Sequence, residues 1–248
     1  MSSTFFIVYL VHFCVLHTIS SIYVHRGIAH GTVNYHPVVV NIFRVYLWAS
    51  GWATWATWQR DYTAQHRKHH KFSDTKDDPH SPYNGTFSDM FDYQHNDPKK
   101  NYYLTPEDVQ KYSKGATVPT DWIQTALCNK YLPYGQFLTS IIYLIFFGIT
   151  GMLLYLLLEA NRQYVTIFVG NYLAHKHGFR YAGNRGTDKS VIIFPIAVLF
   201  GGEELHANHH NYPADPKLSR KWWEFDIGWA TIQLLIWCKL AKLTRKQK

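Results

Sequence analysis

Three short histidine-rich strings carry the chemistry this sequence could do: His25-Arg-Gly-Ile-Ala-His30, His66-Arg-Lys-His69-His70 and His206-Ala-Asn-His209-His210. The chain has 15 histidines in 248 residues. A His-x-x-His-His string is then expected by chance only ~0.05 times, and here it occurs twice. Helix positions i, i+3 and i+4 share a face, so each His-x-x-His-His string can present several imidazoles from one element, and a His-x4-His pair can do so at a helix end. Together the eight imidazoles exceed what one tetrahedral ion needs, which implies more than one metal. Imidazole suits iron, copper, zinc and nickel alike, so the residues alone leave the metal open. Two-metal hydrolases usually recruit bridging carboxylates. No Asp or Glu stands at a matching position inside these strings, and a redox pair acting on O2 fits better.

The elements that must position the histidines read as membrane helices in one domain, 1–248, with no Gly/Ser-rich or Pro-rich linker. Residues 5–24 form an uncharged apolar run of 20, long enough to cross a hydrocarbon core. A signal peptide would need a basic n-region, and the first four residues carry no charged side chain. Val38 to Trp58, rich in Trp and interrupted by Asn41 and Arg44, reads as an interfacial or re-entrant helix. A full crossing there would put His30 and His66 on opposite sides of the membrane. Residues 71–133 are polar and turn-rich and read as a water-exposed cap.

Tyr134 to Ala174 is long enough for a hairpin of two spans. A turn at Glu159 to Gln163 would leave about 12 residues, roughly 18 Å, before His175, short of a core of about 30 Å. A turn at Gly148-Ile-Thr-Gly151 is preferred; it buries Glu159 and Arg162, which at i, i+3 can pair. Residues 190–200, with Pro195, are too short to span, and 225–243 read as a second interfacial helix. The expected fold is therefore all-α, with about three transmembrane helices, interfacial amphipathic helices and a cap over the histidine site.

The formal charge of +8 forms no single stripe of the kind nucleic acid requires. Cationic residues flank the second and third strings and close the chain, which suits an anionic membrane face or an acidic partner. By the positive-inside rule that face, with the metal site and the C-terminus, is cytoplasmic. Aromatic residues make up 17% of the chain, a load suited to a bilayer interface, while a mean hydropathy of −0.22 leaves much of it in water. Cys14, Cys128 and Cys238 match no paired spacing and read as small apolar fillers.

The strings and their surroundings resemble the membrane-bound fatty acid desaturases, specifically the stearoyl-CoA or Δ9 type and its bacterial acyl desaturase relatives. The three boxes come in the family's order. The wording around them agrees: His-Lys-Phe-Ser-Asp-Thr-Lys-Asp-Asp-Pro-His from His70 to His80, Gly-Gly-Glu-Glu-Leu-His from Gly201 to His206, and Lys-Trp-Trp-Glu-Phe-Asp-Ile-Gly-Trp from Lys221 to Trp229. The likeness is strongest over residues 24–80 and 165–229.

The resemblance implies two iron ions (Fe2+) held by His25, His30, His66, His69, His70, His206, His209 and His210. It adds His175, four residues after Asn171, which would reach a metal through water. His12, His17, His36, His95 and His177 have no counterpart and are read as structural; His80 reads as a loop contact beside the ligands. Many relatives have a Trp four residues before the second box, where this chain has Tyr62, and two spans before the first box, where it has room for one. Both departures bear on the acyl tunnel.

The implied activity is O2-dependent insertion of a cis double bond, at Δ9, into a saturated acyl chain on CoA or membrane lipid. Arg60, Tyr62, Arg67 and Lys68 are candidate substrate contacts. No haem-binding motif is fused to the chain, so electrons are expected from a separate carrier of ferredoxin, rubredoxin or cytochrome b5 type. A multi-pass protein of the bacterial inner membrane is preferred to one of the endoplasmic reticulum. The rivals are a di-iron hydroxylase or ketolase of an alkane, sterol or carotenoid, and a non-catalytic metal carrier or sensor.

Overall fold

The computed structural model describes residues 3–52, 56–85, 104–181 and 186–244. Helix α1, Ser3–Ile19, runs without interruption into ten residues of wider π-type turns, Ser20–Ala29. Helix α2, Pro37–Ala49, starts where Pro37 follows the cap residue His36, whose side chain accepts the Val38 N–H. Beyond it Gly51 takes a positive φ of 67°. That residue ends the element expected to run on to Trp58, and α3 begins at Ala56 and continues to Phe72.

Of the expected cap, residues 86–103 lie outside the described part. The remainder holds α4, Pro106–Tyr112, and a wide-turn helix, Ile123–Lys130. The cap is tied to α2 by Arg44, whose buried guanidinium donates to both Asp121 carboxylate oxygens at 2.8 and 2.6 Å.

The hairpin shows how one glycine organises the apolar half. Leu132–Ile167 (α5) is helical on both sides of Gly148, which sits at φ 68°, ψ −174°, a region open essentially only to glycine. The Tyr143 and Tyr155 rings stack at 4.3 Å, whereas twelve residues of unbroken helix would separate them by about 18 Å. Thr139 donates to the Ala49 carbonyl at 2.6 Å, and Arg162 reaches the Gly51 carbonyl at 3.3 Å. The chain therefore reverses at Gly148, where the spacing predicts it. Glu159 and Arg162 pair as expected, with Arg162 Nε donating to Glu159 Oε2 at 2.6 Å, and Tyr9 donates to the same carboxylate.

Two helical stretches, Ser3–Ala29 and Pro133–Lys176, are long and apolar enough to cross a membrane by length and composition. They expose Phe6, Ile7, Leu10, Phe137, Ile145 and Phe146 among other large apolar side chains. After α5 the chain passes through wide turns Phe168–Leu173 into α6, Ala174–Lys176. Next come α7, His206–Asn211, and α8, Ile227–Trp237.

The fold is mostly helical, as expected, with two small sheets added to it. β1 (Val33–Tyr35) pairs antiparallel with β4 (Ala241–Leu243), and β2 (Ile196–Ala197) pairs parallel with β3 (Phe225–Asp226). The segment 225–243, expected as one interfacial helix, is helical only to Trp237. Lys239 then adopts a positive φ of 61°, and the following backbone finds its partners in β1 instead of in another turn of helix.

Candidate metal centre

His25 and His30 come together because of the wide turns that end α1. The His30 N–H bonds to the His25 carbonyl at 3.0 Å, an i→i+5 bond that brings residues five apart round to one face. On an α-helix of 3.6 residues per turn the same two side chains would point about 140° apart. His66, His69 and His70 lie on the last turns of α3, and His206, His209 and His210 make up half of α7. His175 stands just past the wide turns that carry Asn171.

All nine candidate histidines converge, and they sort into two sets. His25, His30, His66, His70 and His209 bring one ring nitrogen each within 4.8 Å of the others, and His69, His175, His206 and His210 do the same. In the first set the Nε2 atoms are separated by 2.7 Å (His30, His66), 3.0 Å (His66, His70), 2.8 Å (His70, His209) and 3.0 Å (His25, His209). In the second they lie at 3.2 Å (His69, His210) and 3.1 Å (His175, His206). The second and third boxes each place their i, i+4 pair in one set and send the i+3 member to the other.

Carboxylates that the sequence reading did not single out set the proton positions. Asp78 accepts His69 Nδ1–H at 2.8 Å, Asp74 accepts His175 Nδ1–H at 2.8 Å, Asp188 accepts His210 Nδ1–H at 3.0 Å, and Glu203 accepts His25 Nδ1–H at 2.8 Å. With the proton on Nδ1, each Nε2 keeps a bare lone pair. His69 and His210 then face each other lone pair to lone pair, which is no hydrogen bond and repels unless a cation lies between. Nitrogens about 2.1 Å from a shared ion sit roughly 3 Å apart, so the donor set fits metal.

Burial pushes His30, His66, His69, His70, His206, His209 and His210 well below the usual imidazole range, with neighbouring imidazoles or cations adding to it. They are neutral, as ligation requires. Burial opposes ionisation of Glu203, but His25, Arg26 and Ser21 outweigh it and hold the carboxyl at about 2. The same contest at Asp74 ends with its carboxyl below the usual range, through His175, the Lys189 N–H and Ser81. A signal for three of these acids was present: Asp74 and Asp78 stand in the wording from His70 to His80, and Glu203 in that from Gly201 to His206, whereas Asp188 lies outside both.

Arg26 fastens the first box to the third. Its guanidinium, 1% exposed, donates to both Asp226 oxygens at 3.0 Å, to the carbonyls of Pro216 and Gly201 at 2.8 and 2.7 Å, and to Ser21. A Cβ at Gly202 or Gly228 would fall within 2.3–2.7 Å of that guanidinium, so the glycines around it leave room for the close approach.

A profile of one protein family, described as "Fatty acid desaturase", matches residues 2–233. The chain belongs to the fatty acid desaturase family. Among curated relatives, an sn-1 stearoyl-lipid 9-desaturase of Anabaena variabilis is 29% identical over 71% of this chain and 61% of its own length. One of the same name from Synechocystis sp. is 29% identical over 88% of this chain and 64% of its own length. Delta-9 acyl-lipid desaturase 1 of Arabidopsis thaliana is 28% identical over 85% and 65%. The chain thus spans less than two thirds of the length of these relatives.

In this member of the desaturase family a mostly apolar cavity of about 160 Å³ lies against the histidines. His25, His66 and His206 line it together with Trp58, Tyr62, Val24, Asn171 and His80. Tyr62 is stacked between Trp58 at 5.2 Å and His66 at 5.7 Å. The other candidate substrate contacts face elsewhere: Arg67 donates to the carbonyls of Ala29, Tyr112 and Lys114, Lys68 pairs with Asp108 at 2.7 Å, and Arg60 is exposed. The His80 ring packs on His69 at 4.0 Å, and the His80 backbone N–H donates to Asp78 at 3.0 Å.

Proposed function

We propose that this chain is an O2-dependent fatty acyl desaturase that introduces a cis double bond, at Δ9, into a saturated chain carried on lipid or CoA. The observation that carries the reading is the pair of facing Nε2 sets, in which acids hold the Nδ1 protons of His25, His69, His175 and His210 on the far nitrogen. His25, His30, His66, His70 and His209 would hold one iron; His69, His175, His206 and His210, with Asn171 through water, would hold the other. Iron there supplies the O2 activation and one-electron chemistry that side chains lack. The protein's own part is positioning. Asp74, Asp78, Asp188 and Glu203 keep the Nδ1 protons in place and aim the rings. Trp58, Tyr62 and Val24 wall the cavity that would hold the saturated carbons and keep water from them, and a misplacement of about 1 Å there can cost ~100-fold in rate.

The reading includes three spans, α1 and the two arms either side of Gly148, with the metal site and the basic C-terminus on the cytoplasmic side of a bacterial inner membrane. Two electrons per turnover would come from a separate carrier of ferredoxin, rubredoxin or cytochrome b5 type. The names of the relatives favour an acyl lipid as substrate and the ninth carbon as the site. Expression in a host lacking unsaturated fatty acids tests this: gas chromatography with mass spectrometry should find a new monounsaturated acyl chain. A hydroxylated or oxo lipid without a new double bond would overturn the desaturase reading in favour of a hydroxylase or ketolase. A purified protein free of iron, with no consumption of O2 under reductant, would favour a carrier.

A further inference from the structure

We infer that a hydrogen bond between His17 and Thr166 closes the far end of the cavity and sets the length of acyl chain it accepts. This rests on the desaturase reading. Among the described cavity-lining residues of α1 and α5, His17 and Thr166 lie farthest along the chain from His25 and His175. His17 lies eight residues before His25, about 12 Å along the helix.

The Phe13 carbonyl accepts His17 Nδ1–H at 2.9 Å, which leaves Nε2 to accept from the Thr166 hydroxyl at 3.0 Å, a hydroxyl that also lies 2.9 Å from the Arg162 carbonyl and shares its one proton between the two acceptors. The bond thus joins the two helices across the cavity. The imidazole is 3% exposed and is wedged by the rings of Trp52 at 5.6 Å and Phe200 at 5.0 Å, both nearly perpendicular to it. Polar groups this deep between apolar helices are costly and usually functional. A methyl terminus reaching this level meets a closed, oriented imidazole face in place of a compressible aliphatic wall. The number of carbons between that floor and His25, His66 and His206 then decides which carbons lie beside the metal ligands.

Two substitutions push the floor in opposite directions. His17→Ala opens the cavity toward Phe13, one helical turn or about 5.4 Å further, room for about four methylenes. Thr166→Leu fills the end and shortens it. Each variant, with unchanged iron content and melting temperature as the check on folding, is compared with the parent in two assays. Product analysis from expressing cells should show longer monounsaturated chains for His17→Ala and shorter ones for Thr166→Leu. Native mass spectrometry of the purified protein with saturated fatty acids of graded length should show retention moving the same way, whether or not the protein turns over. Unsaturated product with an unchanged length profile, or unchanged retention in both folded variants, overturns the inference. A parent that retains graded chains with the expected shifts but forms no double bond would leave the floor in place and remove the desaturase reading.

Discussion

His69 and His210 face each other through Nε2 at 3.2 Å, while their Nδ1 protons are held on the opposite side by Asp78 and Asp188. Two neutral imidazoles in those tautomers offer lone pairs to one point. The relationship makes the acids as much a part of the centre as the histidines.

Asp78→Asn should therefore lower metal affinity and activity by about 10–100-fold, the usual cost of losing an acid behind a ligating histidine, with the fold kept. Iron content by plasma mass spectrometry, set beside turnover, checks it. Full iron occupancy and parental activity would rule out a role for this acid.

His209 belongs to the set opposite that of His206 and His210. His209→Ala should deplete the five-histidine set first, whereas His210→Ala should deplete the four-histidine set. The two variants are expected to bind about one iron per chain in place of two, with different spectroscopic signatures for the remaining ion. Identical spectra would contradict the partition.

Arg26→Met leaves Asp226 buried and unpaired, and the guanidinium's two backbone carbonyl acceptors lose their donor. A loss of about 3–5 kcal/mol in stability is expected, visible as a lower melting temperature in detergent. Replacing Asp226 by Leu in the same chain should recover part of it, because the uncompensated charge is then gone.

Gly148→Ala meets nothing within 4 Å of the added carbon, so its effect is purely conformational. At φ 68°, ψ −174° it should cost about 1–3 kcal/mol. Unaltered thermal stability would mean that the turn is not held at these angles.

Acid should destabilise the metal-free protein. The seven buried histidines pushed below their usual range bind no proton when folded, yet take one up in the unfolded chain below pH ~6.5. Their contribution is complete above that value and lost as pH falls through the window beneath it. Melting temperatures of chelator-treated protein should be level above about pH 6.5 and fall below it; a rise on acidification would contradict the assignment.

Much of the centre was legible from types and spacing. The i, i+3, i+4 strings had to present imidazoles from single helix faces, and the position of Gly148 and the i, i+3 placing of Glu159 and Arg162 marked the hairpin correctly. The extent of the last helix was not legible, because Lys239 and the pairing of Ala241–Leu243 with Val33–Tyr35 depend on a strand about 200 residues away. Nor was the internal bonding of Arg67 and Lys68 to carbonyls and an acid of the cap.

What the sequence by itself determined is the inventory: eight imidazoles in three short strings, to which family resemblance added His175; apolar stretches long enough for a bilayer; and a glycine where the second must turn back. Periodicity suffices for these because they depend on neighbours within one element. Only the tertiary structure decided that His25 and His30 meet through a wide turn, that the nine divide five and four, and which acid stands behind which ring. Those choices follow from how α1, α3 and α7 approach one another, with Arg26 fastening the turns after α1 to Gly201, Pro216 and Asp226. No local spacing carries that approach, since residues of one helical string part into different sets only when a second helix arrives between them.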